Sequence, residues 1–529
     1  MGVFHSLSRV ITLPVSVVGF RHYYKPRRPV LLAIDQGTQS TRVCIYDADT
    51  LERIFTRQVA LKQYTPAPGY TEHDPVEIFE SVLHCMKPFA TPRFLRKHQV
   101  LCIGITNQRE TTIAWDKITG KPLHKAIVWL DTRTSKLVEQ IKESHGGNGD
   151  ALRPVTGLPL STYFSGLKMR WLVENVPEVA KAAQEKRLCL GTVDAWLLYN
   201  LTGGASNGGV FVTDVTNASR YSLMDLASLK WSAQMCEELK VPMDALPSIV
   251  SSAEPYGAVA DGLPLAGTTI SGVLGDQHAA LLGQRCREGE AKCTYGTGSF
   301  LLVNTGAKLC PSQSGLLTTV AFQLGRNSPT QYALEGAVPC AGMAVSWLKE
   351  NLKMIDDARE SETVASTVPN TGGCAFVPAL QGLFAPRWRM DARGALVGLS
   401  LFTTRAHVVR AVLEGVAHSI REVVDAMAKD ARKSLTTLRV DGGMTANKLV
   451  MQIQADLLGI PVECPSDAET TVRGAAVAAK IGAGLMSVQD AFKGSSVVSA
   501  WVPKTDDDAR LRAREHWDKA VEKSLGWER

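Results

Sequence analysis

With 529 residues, 45% of them hydrophobic and 21% charged, the chain has apolar material for more than one core and shows neither the long apolar runs of a membrane-embedded protein nor the polar bias of disorder. Its formal charge of +6 is concentrated at one end, because residues 1–28 hold Arg9, Arg21, Lys25, Arg27 and Arg28 with no acid; the rest carries about +1, which removes charge as an argument for nucleic-acid binding. The 11 cysteines are scattered without a Cys-x-x-Cys pair, so neither a disulfide framework nor a zinc site is suggested and a reducing compartment fits.

The basic leader, residues 1–28, also contains Ser6, Ser8 and an apolar run from Val10 to Phe20, and the first acid is Asp35. This is the pattern of a cleavable organelle-targeting segment, so mitochondrial import is expected, with a retained leader on a cytoplasmic protein as the alternative. Pro14 inside the run, and a basic cluster placed after it, argue against secretion.

Val30 to Ile34 reads as a buried strand, with residues 42–46 and 53–61 as antiparallel neighbours around the turn at Asp47 to Thr50. Pro75 to Met86 and Lys136 to Lys142 have helical periodicity, and Val100 to Thr106 and Thr112 to Trp115 read as short strands between them. A second strand-rich start at Lys292 to Thr305 folds back at a Gly-Thr-Gly turn. Helices are expected at Val338 to Leu352, Arg405 to Ala428, Asn447 to Leu458 and Val472 to Ile481, and a strand at Thr437 to Val440. The division is two α/β domains, 29–283 and 284–529, joined near Gly283.

The first chemical signal is Ile34-Asp35-Gln36-Gly37-Thr38-Gln39-Ser40-Thr41-Arg42, an acid at a strand end followed by glycine, hydroxyls and a cation. Glycine lets backbone N–H groups approach a phosphate, the hydroxyls and Arg42 bond its oxygens, and Asp35 can hold hydrated Mg²⁺. Two further glycine turns, Tyr295-Gly296-Thr297-Gly298 and Asp441-Gly442-Gly443, also follow strand-like runs. No Walker A sequence or protein-kinase glycine loop accompanies them, so a different nucleotide-binding architecture is indicated.

Seven segments, in order and spacing, resemble the glycerol kinases of the FGGY sugar-kinase family: Asp35-Gln-Gly-Thr, Ile105-Thr-Asn-Gln-Arg-Glu-Thr-Thr112, Tyr163-Phe-Ser-Gly-Leu-Lys-Met-Arg-Trp171, Gly275-Asp-Gln277, Tyr295-Gly-Thr-Gly298, Leu334-Glu-Gly-Ala337 and Asp441-Gly-Gly443. The resemblance implies two actin-like (ribonuclease H-like) domains with ATP and substrate meeting in the cleft between them. It implies that Arg109, Glu110, Trp129, Tyr163, Asp276, Gln277 and Phe300 line a glycerol pocket. It further implies that Thr38, Ser40, Arg42, Thr297, Gly342, Gly443 and Asn447 hold the nucleotide, and that the chain forms a homodimer or homotetramer, though no patch for that contact is identified.

Chemistry assigns roles within that set. A primary alcohol is a poor nucleophile at neutral pH, so a carboxylate must accept its proton as the bond to phosphorus forms, and Asp276 is the choice for that base. Asp35 beside the phosphate loop is better placed for Mg²⁺. Arg109 can donate to a small polyol, Glu110 accept from it and Tyr163 do either, with Trp129 and Phe300 covering its CH face. His278, next to the base, reads as a neighbour of the pocket that could tune Asp276 electrostatically.

Some positions depart from the family. Gln39 and Ser346 replace residues that usually approach the nucleotide, Pro386 to Asp391 differs from the usual run, and Arg473 interrupts the small apolar stretch Val472 to Ala479. The short segment between Tyr256 and Ile270 lacks the arginine-bearing insertion that binds an allosteric sugar bisphosphate in bacterial members. Gly272, Gly275 and Gly283 are candidates either for a hinge or for tight packing. Two other functions stay open: a kinase for another polyol, pentulose or hexose, and a catalytically impaired protein that binds a partner at a mitochondrial surface.

Overall fold

The computed structural model describes residues 26–494 and 497–528. Of the basic leader, residues 1–28, on which the targeting expectation rests, residues 1–25 lie outside the described residues, and Arg28 opens the first strand. Among the described residues no helix is long and apolar enough to cross a membrane.

The run Val30 to Ile34 is fully buried because its strand, Arg28–Gln36, sits inside a six-stranded sheet covered on both faces. It pairs antiparallel with Ser40–Asp47, which pairs antiparallel with Arg53–Ala60; on its other side lie His98–Asn107 and then Thr269–Gly275, both parallel. Alternate side chains go to opposite faces. Leu32 and Ile34 pack with Ile78 and Val82 of the helix Pro75–Met86 and with Leu197 and Leu198 of the helix Val193–Leu201. Leu31 and Ala33 pack with Val472, Ala475 and Ala479. Those last residues belong to the helix Thr470–Gly482, so an element from the second half of the chain covers the sheet of the first.

The second sheet repeats this plan. Ala291–Tyr295 pairs antiparallel with Ser299–Gly306, which pairs with Gln331–Val338, while Leu438–Asp441 and Val462–Pro465 add in parallel on the other side. When the five strands named in each sheet are numbered along the chain, both sheets run 3-2-1-4-5, the repetition expected of two like-built α/β domains. The 27-residue helix Arg405–Ala431 and the helix Lys448–Leu458 supply the apolar cover of this sheet. A small four-stranded sheet, Glu72–His73, Ala126–Ile127, Thr112–Asp116 and Leu188–Thr192, carries the outer part of the first half.

The helix expected from Val338 begins instead at Gly342 and runs to Glu350. Val338 is the last residue of a strand, paired with Ser299. Hydrogen bonding to both neighbouring strands outweighs the apolar periodicity that suggested helix.

The glycines considered as hinge material are packing points. A Cβ on Gly272 would lie 2.3 Å from the Ala479 nitrogen, and one on Gly283 1.9 Å from the Thr470 oxygen. The reciprocal contact is as tight, since a Cβ on Gly474 would meet the Ala279 oxygen at 1.8 Å. Gly474→Ala would ordinarily favour a helix, but here it forces backbone apart, so a net loss of at least about 1–3 kcal/mol is expected. A lowered midpoint in urea checks this, and an unchanged midpoint refutes it.

Candidate active site

Three parallel strands end level with one another. Gln36 pairs with Asn107, and Asn107 with Gly275, so the chain leaves all three strands at one edge of the sheet. The phosphate-loop sequence, Arg109 with Glu110, and Asp276 therefore emerge together at the carboxyl ends, where open α/β sheets bind ligands. Asp276 opens the helix Asp276–Gly283, and Glu110 adopts a left-handed backbone with φ 59°. That conformation is costly for a residue with a Cβ, and such strain concentrates at functional sites.

The charged residues converge tightly. The Arg109 guanidinium makes a two-pronged contact with Glu335, at 2.6 and 2.8 Å; its Nε lies 3.2 Å from Asp276 Oδ1, and its Nη2 is 3.5 Å from the Tyr163 hydroxyl. Glu110 accepts from Arg220 Nε at 2.5 Å, and Arg220 Nη1 is 3.4 Å from Glu335. Arg109, Glu110, Arg220 and Glu335 have side chains no more than 2% exposed, whereas Asp276 is 30% exposed. Arg109 and Glu110 are therefore a buried pair and not a surface one.

Burial pushes the Glu335 carboxyl up, but the Arg109 and Arg220 guanidiniums outweigh it and hold the group well below the usual carboxylate range. Burial raises Glu110 despite Arg220 and Arg109. It also raises Asp276, against the opposing pull of Arg109, the Gln277 N–H and Lys292. His278 is fully buried, its Nδ1 is without a partner, and burial with Arg109 nearby drives it well below its ordinary value. Its surroundings thus disfavour a charge beside Asp276, which does not support the electrostatic tuning considered for it.

An aromatic wall stands next to these charges. The Trp129 ring meets Tyr163 edge-on at 5.5 Å and Phe300 at 6.3 Å, and its Nε1 donates to Thr38 Oγ1 at 2.9 Å, tying the wall to the phosphate loop. The loop bearing Tyr163 is fixed by Lys168, a buried cation that donates to the Thr162 and Tyr163 carbonyls at 2.7 and 2.5 Å. Desolvation pulls Lys168 down to about 7. Gln277 accepts from Lys292.

The residues assigned to the nucleotide divide between the two sheets. Asp35 lies 3.9 Å from Arg42, whose Nη1 is also paired with Glu469. Arg42 is thus engaged by protein, its Nε facing Gln58 at 3.3 Å as well. The Ser40 hydroxyl accepts from Gln58 at 2.9 Å. In the second half, the glycine turns follow the adjacent parallel strands Ala291–Tyr295 and Leu438–Asp441. Gly342 donates to the Gly296 carbonyl at 3.0 Å and Met343 to that of Thr297 at 2.9 Å, docking the helix Gly342–Glu350 on the first turn. Gly442 has φ 92° and lies so close to Tyr295 that a Cβ would be 2.3 Å from its oxygen, a place only glycine fills. Gly443 has open space beside it, and Asn447 caps the next helix through Val450 N at 3.0 Å while donating to Ser361. Gln39 and Ser346 are exposed. Arg473 donates to the Gly283 carbonyl at 3.0 Å, and Arg387 of the divergent Pro386 to Asp391 run pairs with Glu422; neither belongs to the cluster around Arg109.

Residues 30–283 match the N-terminal domain of the FGGY family of carbohydrate kinases, and residues 291–483 its C-terminal domain. The chain belongs to this family. Among curated FGGY relatives, a glycerol kinase from Arabidopsis thaliana is 48% identical over 93% of this chain and 97% of its own. A probable glycerol kinase from Dictyostelium discoideum is 46% identical over 94% and 99%. The crystal structure of Plasmodium falciparum glycerol kinase with ADP superposes with a TM-score of 0.88 at 41% identity, covering 94% of this chain and 99% of that one. The FGGY kinase fold is accordingly the actin-like pair of α/β domains that the sequence resemblance implied.

Sequence reading passed over four residues of this FGGY site. Glu335 stands inside the motif Leu334 to Ala337 as an acid in an apolar strand, and Lys292 is a lone cation in a similar strand; either break in pattern was a usable signal. Lys168 lies within the motif Tyr163 to Trp171, but nothing in the spacing showed that it reaches back to its own loop. Arg220 carries no local signal at all.

A pH dependence follows for this kinase. The expected role of Asp276 as general base requires its ionised form, and burial raises that carboxyl above its ordinary 3.8, so kcat/KM is expected to fall as pH drops through a value above that. A pH profile whose acid limb lies at or below the ordinary carboxylate value would contradict this.

Proposed function

We propose that the chain transfers the terminal phosphoryl group of ATP to a primary hydroxyl of glycerol, forming sn-glycerol 3-phosphate. One observation carries this reading: a half-buried carboxylate, Asp276, faces Arg109, which also neighbours Glu110 and reaches Tyr163 of the aromatic wall, and Trp129 of that wall is bonded to Thr38 of the phosphate loop. The names of the relatives support the choice of glycerol among polyols.

Asp276 Oδ1 already accepts from Gln277 N at 2.7 Å and faces Arg109 Nε at 3.2 Å, which leaves Oδ2 to take the hydroxyl proton. Arg109 spends three of its five N–H groups on Glu335 and Tyr163, and its Nε faces Asp276 at 3.2 Å, so few of its donors are left for the acceptor. Such a sparse, fixed set of donors suits a small molecule with few hydroxyls, and a larger sugar would leave polar groups unpaired. Closure of the cleft over the aromatic wall keeps water from competing as phosphoryl acceptor.

The site's residues also fit Mg²⁺. Burial raises the Asp35 carboxyl to about 7, with Asp276 and Glu469 adding to the rise and Arg42 opposing it. This is an under-neutralised carboxylate that a divalent cation would hold ionised. Asp35 would bind the ion together with phosphate oxygens and waters, and the ion would neutralise charge on the phosphates of ATP.

The test is ADP formation by the purified chain with MgATP and glycerol, beside other polyols, pentuloses and hexoses. Turnover restricted to glycerol supports the assignment; turnover of another acceptor alone moves the substrate and keeps the base; none at all returns the binding-protein reading to the front. The acid-free basic leader supports import into mitochondria over a cytoplasmic residence, which fractionation of cells expressing the full chain decides. Assembly as a homodimer or homotetramer is read from the family and is decided by light scattering on the purified chain.

A further inference from the structure

Lys292 is completely buried on the strand Ala291–Tyr295, and no carboxylate among the described residues lies within 4 Å of its ammonium. Its nitrogen donates to the side-chain oxygen of Gln277 and, at 3.0 Å, to Thr294 Oγ1. Asp441, Asp276 and Glu335 act on it at longer range, from the nucleotide turn, the base and the Arg109 clamp. A buried cation is expensive unless it is held in place for a purpose.

An ammonium has donors only, so whatever faces it must accept. The Gln277 carboxamide is thereby fixed with its oxygen inward. Its Nε2 makes no hydrogen bond to any described residue, and Gln277 is partly exposed at the cleft immediately after the base. A substrate hydroxyl has one hydrogen and two lone pairs. If the hydrogen goes to Asp276, the oxygen needs a donor, and an outward carboxamide oxygen would instead compete with Asp276 for that hydrogen.

We propose that Lys292 is a positioning residue for the phosphoryl acceptor: it locks the Gln277 amide so that only its N–H₂ faces the cleft, and the hydroxyl's hydrogen is left to Asp276. The inference rests on the reading of Asp276 and Gln277 as lining the acceptor pocket.

The experiment uses the full-length enzyme and the acceptor that wild type phosphorylates best, whichever the substrate panel shows that to be, so a wrong choice of glycerol is seen separately in wild type. In Lys292→Met the KM for that acceptor is expected to rise about tenfold while the KM for ATP stays within about twofold. Lys292→Arg, which can still donate to Gln277, should recover most of the loss. Gln277→Glu tests the same geometry without removing the buried lysine: one oxygen pairs with Lys292, the other presents an acceptor to the cleft, and the acceptor KM should rise as in Lys292→Met. The proposal is overturned if Lys292→Met leaves the acceptor KM unchanged or raises both KM values equally. It is overturned as well if Gln277→Glu binds acceptor as wild type does, a result that stands even if the lysine variants do not fold.

Discussion

Asp276→Asn is expected to lower kcat by about 10²- to 10⁴-fold, the contribution of a positioned general base, while the chain stays folded and binds both substrates. The substitution keeps the shape of the side chain and an oxygen that can accept from Gln277 N and face Arg109, so the helix Asp276–Gly283 keeps its first residue in place. What it removes is the oxygen that takes a proton, because an amide nitrogen in that position donates. The loss should therefore fall on kcat more than on either KM. A variant that turns over at the wild-type rate would show that proton transfer lies elsewhere, and Asp35 would be the next carboxylate to examine. A variant that loses kcat only because it has unfolded would be recognised by its lowered midpoint in urea.

Arg220→Met is expected to cost about 3–5 kcal/mol in stability, as large a penalty as any single change outside the substrate contacts. Arg220 is fully buried, donates to Glu110 at 2.5 Å, lies 3.4 Å from Glu335, and covers the rings of Tyr163 and Phe164 with its guanidinium at 5.3 and 5.1 Å. Methionine fills much of the space and keeps contact with the rings, but it leaves Glu110 as a buried acid with Arg109 Nε, 3.9 Å away, as the nearest remaining cation. Removing that orphaned charge with Glu110→Gln should return part of the stability, so the double variant is expected to be more stable than the sum of the single losses implies. Urea unfolding of the four proteins measures this. A cost below about 1 kcal/mol for Arg220→Met would mean that Glu110 is satisfied by Arg109 alone.

The parts of this molecule that could be read beforehand are those set by local pattern. The helix Pro75–Met86 was visible from its periodicity, and in the structure Asp74 caps it. The hairpin from Ala291 to Gly306 was visible from its glycine turn. Arg109, Glu110 and Asp276 were singled out because their residue types suit the chemistry, and the strand ends bring them together. What could not be read are contacts made between distant strands. Glu335 is separated from Arg109 by 226 positions and Arg220 from Glu110 by 110, and no spacing rule links them. Val338 was misread for the same reason, since its pairing with Ser299 overrides the apolar period that follows it.

The helix Thr470–Gly482 has a consequence for how the chain comes into being. It covers the face of the first sheet formed by Leu31, Ala33, Cys44 and Cys102, yet it is synthesised more than 400 residues after that sheet begins. On the ribosome, the first half emerges with one apolar face bare, and at about 5–20 residues per second that exposure lasts tens of seconds. The nascent first half is thus a client for chaperones until nearly the whole chain has been made, and a chain terminated between the two halves would remain one.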